Sequence, residues 1–177
     1  MALARVADLL TAVRLVIAPL LVVVGGVSLE TAGLLLAGAW VSDALDGRAA
    51  RASGRSTRLG RLDLTIDTAV GAGLLLGMAN AGVVPVAVAV ALVVVLGGAF
   101  LWLRNPALAL VLQGVAYGWF LVTVWTRQLP VRWVLLGTIA VLFLVGARRL
   151  FTVVIPAFLS GVVALVTGDR GREHRLS

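Results

Sequence analysis

V-P-V-A-V-A-V-A-L-V-V-V-L-G-G-A-F-L-W-L, residues 84–103, runs for 20 residues without a charged side chain. A helix rising 1.5 Å per residue crosses a ~30 Å hydrocarbon core in about 20 residues. The run is continuously apolar rather than alternating between apolar and polar, which favours a helix over a lipid-facing barrel strand. Similar runs lie at 13–29, 31–50, 62–82, 107–126 and 131–147. They predict an all-α integral membrane protein with six transmembrane helices. These consume most of the 177 residues, so one membrane-embedded domain is expected over 1–177, with a polar tail at 168–177. The composition agrees: 61% of the residues are hydrophobic and 13% charged, where a soluble domain has about a quarter charged.

The two ends of the apolar pattern need separate treatment. Residues 2–14 look like a short amphipathic helix leading into the first span. Arg5 followed by an apolar run has the beginnings of a signal peptide, but Asp8 and Arg14 interrupt it and no small-residue cleavage pattern follows Val27. No cleavage is expected. Residues 150–167 form a further apolar stretch containing Pro156, which either crosses the membrane or lies at its interface as a bent helix. Arginine placement favours the interface. With residue 1 in the cytoplasm and six alternating helices, ten arginines from Arg5 to Arg149 fall inside and only Arg127 and Arg132 outside. The tail arginines Arg170, Arg172 and Arg175 then stay inside only if 150–167 does not cross.

Absences narrow the chemistry. There is no Cys, no Lys and one His, His174. That excludes disulfides, thiol nucleophiles, lysine Schiff bases and a Walker phosphate loop, and argues against a Ser-His-Asp triad. Any enzyme here runs on carboxylates, arginine, hydroxyls or a metal held by oxygen. The net charge of +7 comes from arginines that track helix ends, so it does not point to nucleic acid.

Four of the eight acidic residues fall in one short window: Asp43, Asp46, Asp63 and Asp67. A carboxylate in a bilayer core costs roughly 2.5–3.5 kcal/mol, so such groups are functional candidates. Asp43, Asp46, Gly47, Ala50 and Arg51 share one stripe of one helix, and Gly60, Asp63 and Asp67 share a stripe of the next. Two antiparallel helices joined by a short cytoplasmic loop bring these stripes face to face. Four carboxylates match the charge of two divalent ions, and oxygen-only ligands suit Mg²⁺ or Mn²⁺. Such ions polarise phosphoryl groups. Gly47 and Ala50 allow a ligand close to the backbone, and Arg51 is placed to pair with a phosphate. The competing reading is a salt-bridged loop in which these Asp residues pair with Arg48, Arg51, Arg55, Arg58 and Arg61. Four carboxylates at helix-matched spacing beside small residues favour the ligand reading.

D-A-L-D-G-R-A-A-R at 43–51, followed after eight residues by G-R-L-D-L-T-I-D at 60–67, resembles the signature of the CDP-alcohol phosphotransferase (CDP-alcohol phosphatidyltransferase) family, D-x2-D-G-x2-A-R then G-x3-D-x3-D. L-L-T-A-V-R-L-V-I-A-P at 9–19 is similar to the start of bacterial phosphatidylglycerophosphate and phosphatidylinositol-phosphate synthases. One position departs: two residues, Arg61 and Leu62, separate Gly60 from Asp63, where the family has three. The Asp63–Asp67 spacing is intact, and three- and four-residue steps both return close to the same helix face. The resemblance implies attack of an alcohol hydroxyl on the β-phosphorus of a CDP-linked lipid donor such as CDP-diacylglycerol, with CMP leaving. Asp43, Asp46 and Asp63 would hold metal, Asp67 would sit at the metal edge and act as base, and Gly47, Ala50, Arg51 and Gly60 would serve the cytidine nucleotide. It also implies a homodimer in phospholipid biosynthesis, in a bacterial cell membrane with the site at the cytoplasmic face.

The acceptor alcohol is not written in the residues. Arg104, Arg148 and Arg149 fall at inner helix ends and are candidates for an acceptor phosphate, or simply positive-inside anchors. Gly25, Gly26, Gly71, Gly73, Gly97 and Gly98 read as close helix-packing positions. Trp102, Trp119, Trp125 and Trp133 read as interfacial aromatics. Asn105-Pro106 reads as a turn, and Gln113 and Tyr117 as hydrogen-bonding groups between helices. Two other classes remain: a non-catalytic relative that binds nucleotide or partner proteins, motivated by the contraction before Asp63, and a transporter using Asp residues as an ion relay. Clustering of the Asp residues at one interface argues against the relay.

Overall fold

A computed structural model describes residues 2–53 and 62–167, which are helical apart from short connections and contain no strand. Helix α1 (Ala2–Val27) is one unbroken element, so the amphipathic entry and the first span are continuous. Ser28 separates it from α2 (Leu29–Ser53), its hydroxyl accepting from the Thr31 backbone N–H as an N-cap does. Helix α3 (Asp63–Asn80) is followed by a turn in which Gly82 takes φ +67°, a backbone conformation that favours glycine. The run that opened the sequence reading becomes α4 (Val86–Leu92), a π-helical turn (Val93–Gly97) and α5 (Gly98–Leu103). Arg104 ends α5 in the left-handed region, and Asn105 caps α6 (Pro106–Thr126), its side chain accepting from the Ala107 N–H with Pro106 in the first turn. Helix α7 (Val131–Arg149) passes through a second π-helical turn (Leu150–Val154) into α8 (Ile155–Thr167).

Among the described residues, three helices are long and apolar enough to cross a membrane: Asp8–Val27, Val86–Leu103 and Pro106–Thr126. The pair Val131–Gly146 and Phe151–Val163, bent by 71°, would make a fourth if taken as one broken span. Each of the six expected spans is helical, but α7 passes only together with the helix that follows it, and α2 and α3 fall short of that test. They are the helices that carry the four carboxylates. The stretch 150–167 is helical and does not continue the line of α7.

The core is a three-helix seam. On α1 the residues Thr11, Arg14, Ala18, Leu21 and Gly25 are all buried, at alternating steps of three and four. Helix α2 repeats the spacing with Ala32, Leu36, Ala39, Asp43 and Asp46, and α3 with Asp63, Asp67, Val70, Leu74 and Gly77, all buried except the partly exposed Asp43, Asp63 and Asp67. Each stripe is apolar at one end and polar at the other. Where α1 meets α3 the backbones are very close. A Cβ on Gly25 would lie 2.7 Å from the Gly77 Cα, and a Cβ on Gly73 or Gly77 would collide with the carbonyls of Ala18 and Leu21. This is small-residue packing of the kind that draws membrane helices together. Gly26 and Gly71 also sit against neighbouring helices, as expected, and Gly97 touches Leu112; Gly98 faces open space, so its packing role is not found. Around the seam, α6 packs on α3, α7 on α2 and α8 on α6.

Candidate active site

The polar ends of the three stripes meet at one point. Asp43 and Asp46 come from the last turns of α2, and Asp63 and Asp67 from the first turns of α3. One carboxylate oxygen from each of Asp43, Asp46 and Asp63 lies within 4.8 Å of the others. Asp67 lies outside that triplet but joins the same group through a shared partner. The side chain of Asp46 is 6% exposed and forms the floor, while Asp43 at 48% and Asp63 at 39% form an open mouth.

The shared partner is Arg14. Its Nη1 donates to Asp43 at 3.0 Å and to Asp67, and its Nη2 donates to Asp46 and Asp63. Thr11, one turn earlier on α1, donates its hydroxyl to Asp46 at 2.9 Å. Arg14 is 1% exposed. The salt-bridged-loop reading had looked to Arg48 and its successors as partners. Of those arginines only Arg48 has a described side chain, and the side chains of Arg51, Arg55, Arg58 and Arg61 lie outside the described residues; the ion pairs that are described run to Arg14 of α1, an arginine that the sequence alone marks only as one of the inner-side set. A signal was present. Arg14 interrupts an apolar run, a placement that itself marks a functional candidate, and Thr11 lies on its face one turn away.

A second layer supports the α3 carboxylates. Tyr117 of α6 donates its hydroxyl to the Asp67 carbonyl at 3.5 Å, and its ring stands edge-on to Trp40 with centroids 5.4 Å apart. Gln113 donates to the Thr68 hydroxyl at 3.4 Å, and Thr68 donates back to the Leu64 carbonyl at 2.6 Å. The interhelical role expected of Gln113 and Tyr117 is thus realised directly behind the site.

The family model for CDP-alcohol phosphatidyltransferases matches residues 4–166. The chain belongs to that family. The match takes in α1 as well as the Asp-bearing helices, so Thr11 and Arg14 lie within it. Neither a curated protein nor a solved structure matches the chain. The family is one of transferases and is generally divalent-metal dependent.

The other family-motif positions are placed less completely. Gly47 follows Asp46 on α2 and is half-buried beside the site. Ala50 and Arg51 lie in the last turn of α2, their side chains outside the described residues, and Gly60 lies outside them altogether. Of the acceptor candidates, Arg104 is exposed, and the described ion pairs of the four carboxylates do not include it. Arg148 and Arg149 end α7, their side chains again outside the described residues.

The donor set fits a hard divalent ion. All candidate ligands are carboxylate oxygens, the hard donors that suit Mg²⁺ or Mn²⁺, and three of them converge to within 4.8 Å of one another. Among the described residues, the four carboxylates share one guanidinium.

Proposed function

We propose that the protein transfers a substituted phosphate from a CDP-linked lipid donor such as CDP-diacylglycerol to an alcohol acceptor, releasing CMP. The observation that carries this reading is the convergence of all four motif carboxylates, from two helices, on one partly open point. Asp43, Asp46 and Asp63 would hold Mg²⁺ or Mn²⁺, with Asp67 at the edge. Two ions would balance the four carboxylates, and bound there they would supply positive charge to the transferring phosphoryl group. Asp67 accepts the proton of the acceptor hydroxyl as the new O–P bond forms and the bond to the CMP oxygen breaks. Its backbone is tied to Tyr117, which holds the base in place. Gly47, Ala50, Arg51 and Gly60 would line the cytidine nucleotide, and Arg104, Arg148 and Arg149 remain candidates for a phosphorylated acceptor.

The contraction before Asp63 motivated a non-catalytic alternative. It does not displace the carboxylates: Asp63 starts α3, and both it and Asp67 reach the same guanidinium as the α2 pair. That supports an active enzyme. A lipid donor also accounts for a site among apolar helices. We place the chain in a bacterial cell membrane, the carboxylate end at the cytoplasmic face, as a homodimer. Helix α8 fits an interfacial position: Asn105, at the start of α6, donates to the Gly161 carbonyl in the middle of α8.

The test is product identification. Purified protein in CDP-diacylglycerol liposomes with Mg²⁺ or Mn²⁺ is given a panel of alcohol and phospho-alcohol acceptors. One acceptor should yield a new lipid together with CMP, and Asp67→Asn should abolish both. Lack of any lipid product across the panel, in protein that binds the donor, would return the weight to the non-catalytic reading.

A further inference from the structure

We propose that Arg14 is a displaceable counter-cation, its guanidinium and a divalent ion taking turns on the same carboxylate oxygens. This rests on the metal reading above. Four observations on the site carry it.

First, the two terminal nitrogens of Arg14 share out every motif carboxylate, Nη1 on Asp43 and Asp67, Nη2 on Asp46 and Asp63. The guanidinium therefore sits where the triplet of ligand oxygens converges. Second, among the described residues one guanidinium is shared by four carboxylates, so a more highly charged ion has a strong electrostatic claim on the position. Third, the guanidinium is not fully satisfied. Its Nε is buried with no hydrogen-bond partner, which is unusual for a buried donor and costs free energy. An arginine fixed for structure alone would be expected to use that donor as well. Fourth, there is an exit, because Asp43 and Asp63 leave the mouth of the site partly open while Asp46 closes its floor.

The physical role follows. Without an ion, the carboxylate ends of α2 and α3 repel one another, and Arg14 holds them together from α1. An arriving ion takes over that neutralisation and sets the guanidinium free. Ion affinity is lowered by the competition, and a phosphate-bearing donor arriving with the ion would give the freed guanidinium a new partner. Ion uptake is thereby favoured when an anionic substrate is present.

The experiment uses the full chain in detergent, Mn²⁺ as the probe, and electron paramagnetic resonance to separate free from bound ion. Wild type, Arg14→Met and Asp43→Asn are compared, with thermal midpoints measured with and without Mn²⁺. Removing a competitor should tighten Mn²⁺ binding about tenfold in Arg14→Met, within the usual range of coupling between two sites. Metal-free Arg14→Met should melt below wild type, and Mn²⁺ should restore most of the difference. Asp43→Asn should bind Mn²⁺ more weakly than wild type. Equal or weaker Mn²⁺ binding by Arg14→Met, with wild type binding normally, overturns the proposal and leaves the metal reading standing. Failure of wild type to bind Mn²⁺ overturns both. If Arg14→Met is unfolded whether or not Mn²⁺ is present, the arginine is a fixed structural element and the proposal is wrong.

Discussion

Asp43 and Asp46 are three residues apart on one helix yet stand in different environments, and the difference separates chemistry from stability. Asp43 is half-exposed, whereas Asp46 is buried and accepts from both Thr11 and Arg14. Asp43→Asn should cost no more than about 1 kcal/mol of folding stability, the usual worth of a solvent-exposed ion pair. It should lower CMP release at least about 100-fold, because a ligand of the ions that stabilise developing charge is lost. Asp46→Asn should also abolish activity, and in addition cost roughly 1–3 kcal/mol of stability by weakening an acceptor for two buried donors. Thermal midpoints in detergent, read beside CMP release, check both. Equal stability of the two variants would contradict the burial argument. The spacing of the four Asp residues already showed two helix faces at the sequence level. What it did not show was the third face, because Arg14 read as one more inner-side arginine while its burial depends on how closely α1 approaches α3.

That approach belongs to the helices. The glycines Gly73 and Gly77 of α3 let the carbonyls of Ala18 and Leu21 come within reach, and the same contact seats Arg14 between Asp63 and Asp67. Gly77→Val should push the two helices apart, at a cost of typically 1–3 kcal/mol for overpacking. CMP release should fall with it although residue 77 is remote from the carboxylates. A variant with lowered melting temperature and full turnover would show that the site does not depend on the α1–α3 contact. At the other end of the fold, Asn105 both caps α6 and donates to Gly161 of α8. Asn105→Ala should cost about 1 kcal/mol for the cap alone. It should also loosen α8, seen as faster proteolysis after residue 150, whereas unchanged proteolysis would show that α8 is held by its apolar contacts. The helices themselves were legible as apolar runs. The π-helical turns at 93–97 and 150–154 were not, since a one-residue widening of the helix leaves no mark in an evenly apolar sequence.

For the whole molecule, apolar length and a central place in the fold do not coincide. Helices α2 and α3 are too polar at their carboxylate ends to score as spans, yet they form the centre of the fold with α1. Charge there is tolerated because Arg14 neutralises it inside the protein rather than in lipid, and the proposed ions would do so in its place. Orientation can be tested cleanly because the chain has no Cys. In sealed bacterial cells, Arg48→Cys should be shielded from an impermeant thiol reagent and Gln128→Cys should react, both positions being exposed on the protein. Reaction at residue 48 from outside would invert the topology. The central claim is that the converging carboxylates make a metal-dependent transferase. Its most direct measurement is CMP release from CDP-diacylglycerol, with the acceptor that gives product, before and after chelation and with Asp43→Asn in parallel. The account predicts release that stops on chelation, returns with Mg²⁺ or Mn²⁺, and is absent from the variant. Release that persists through chelation or in Asp43→Asn would contradict it.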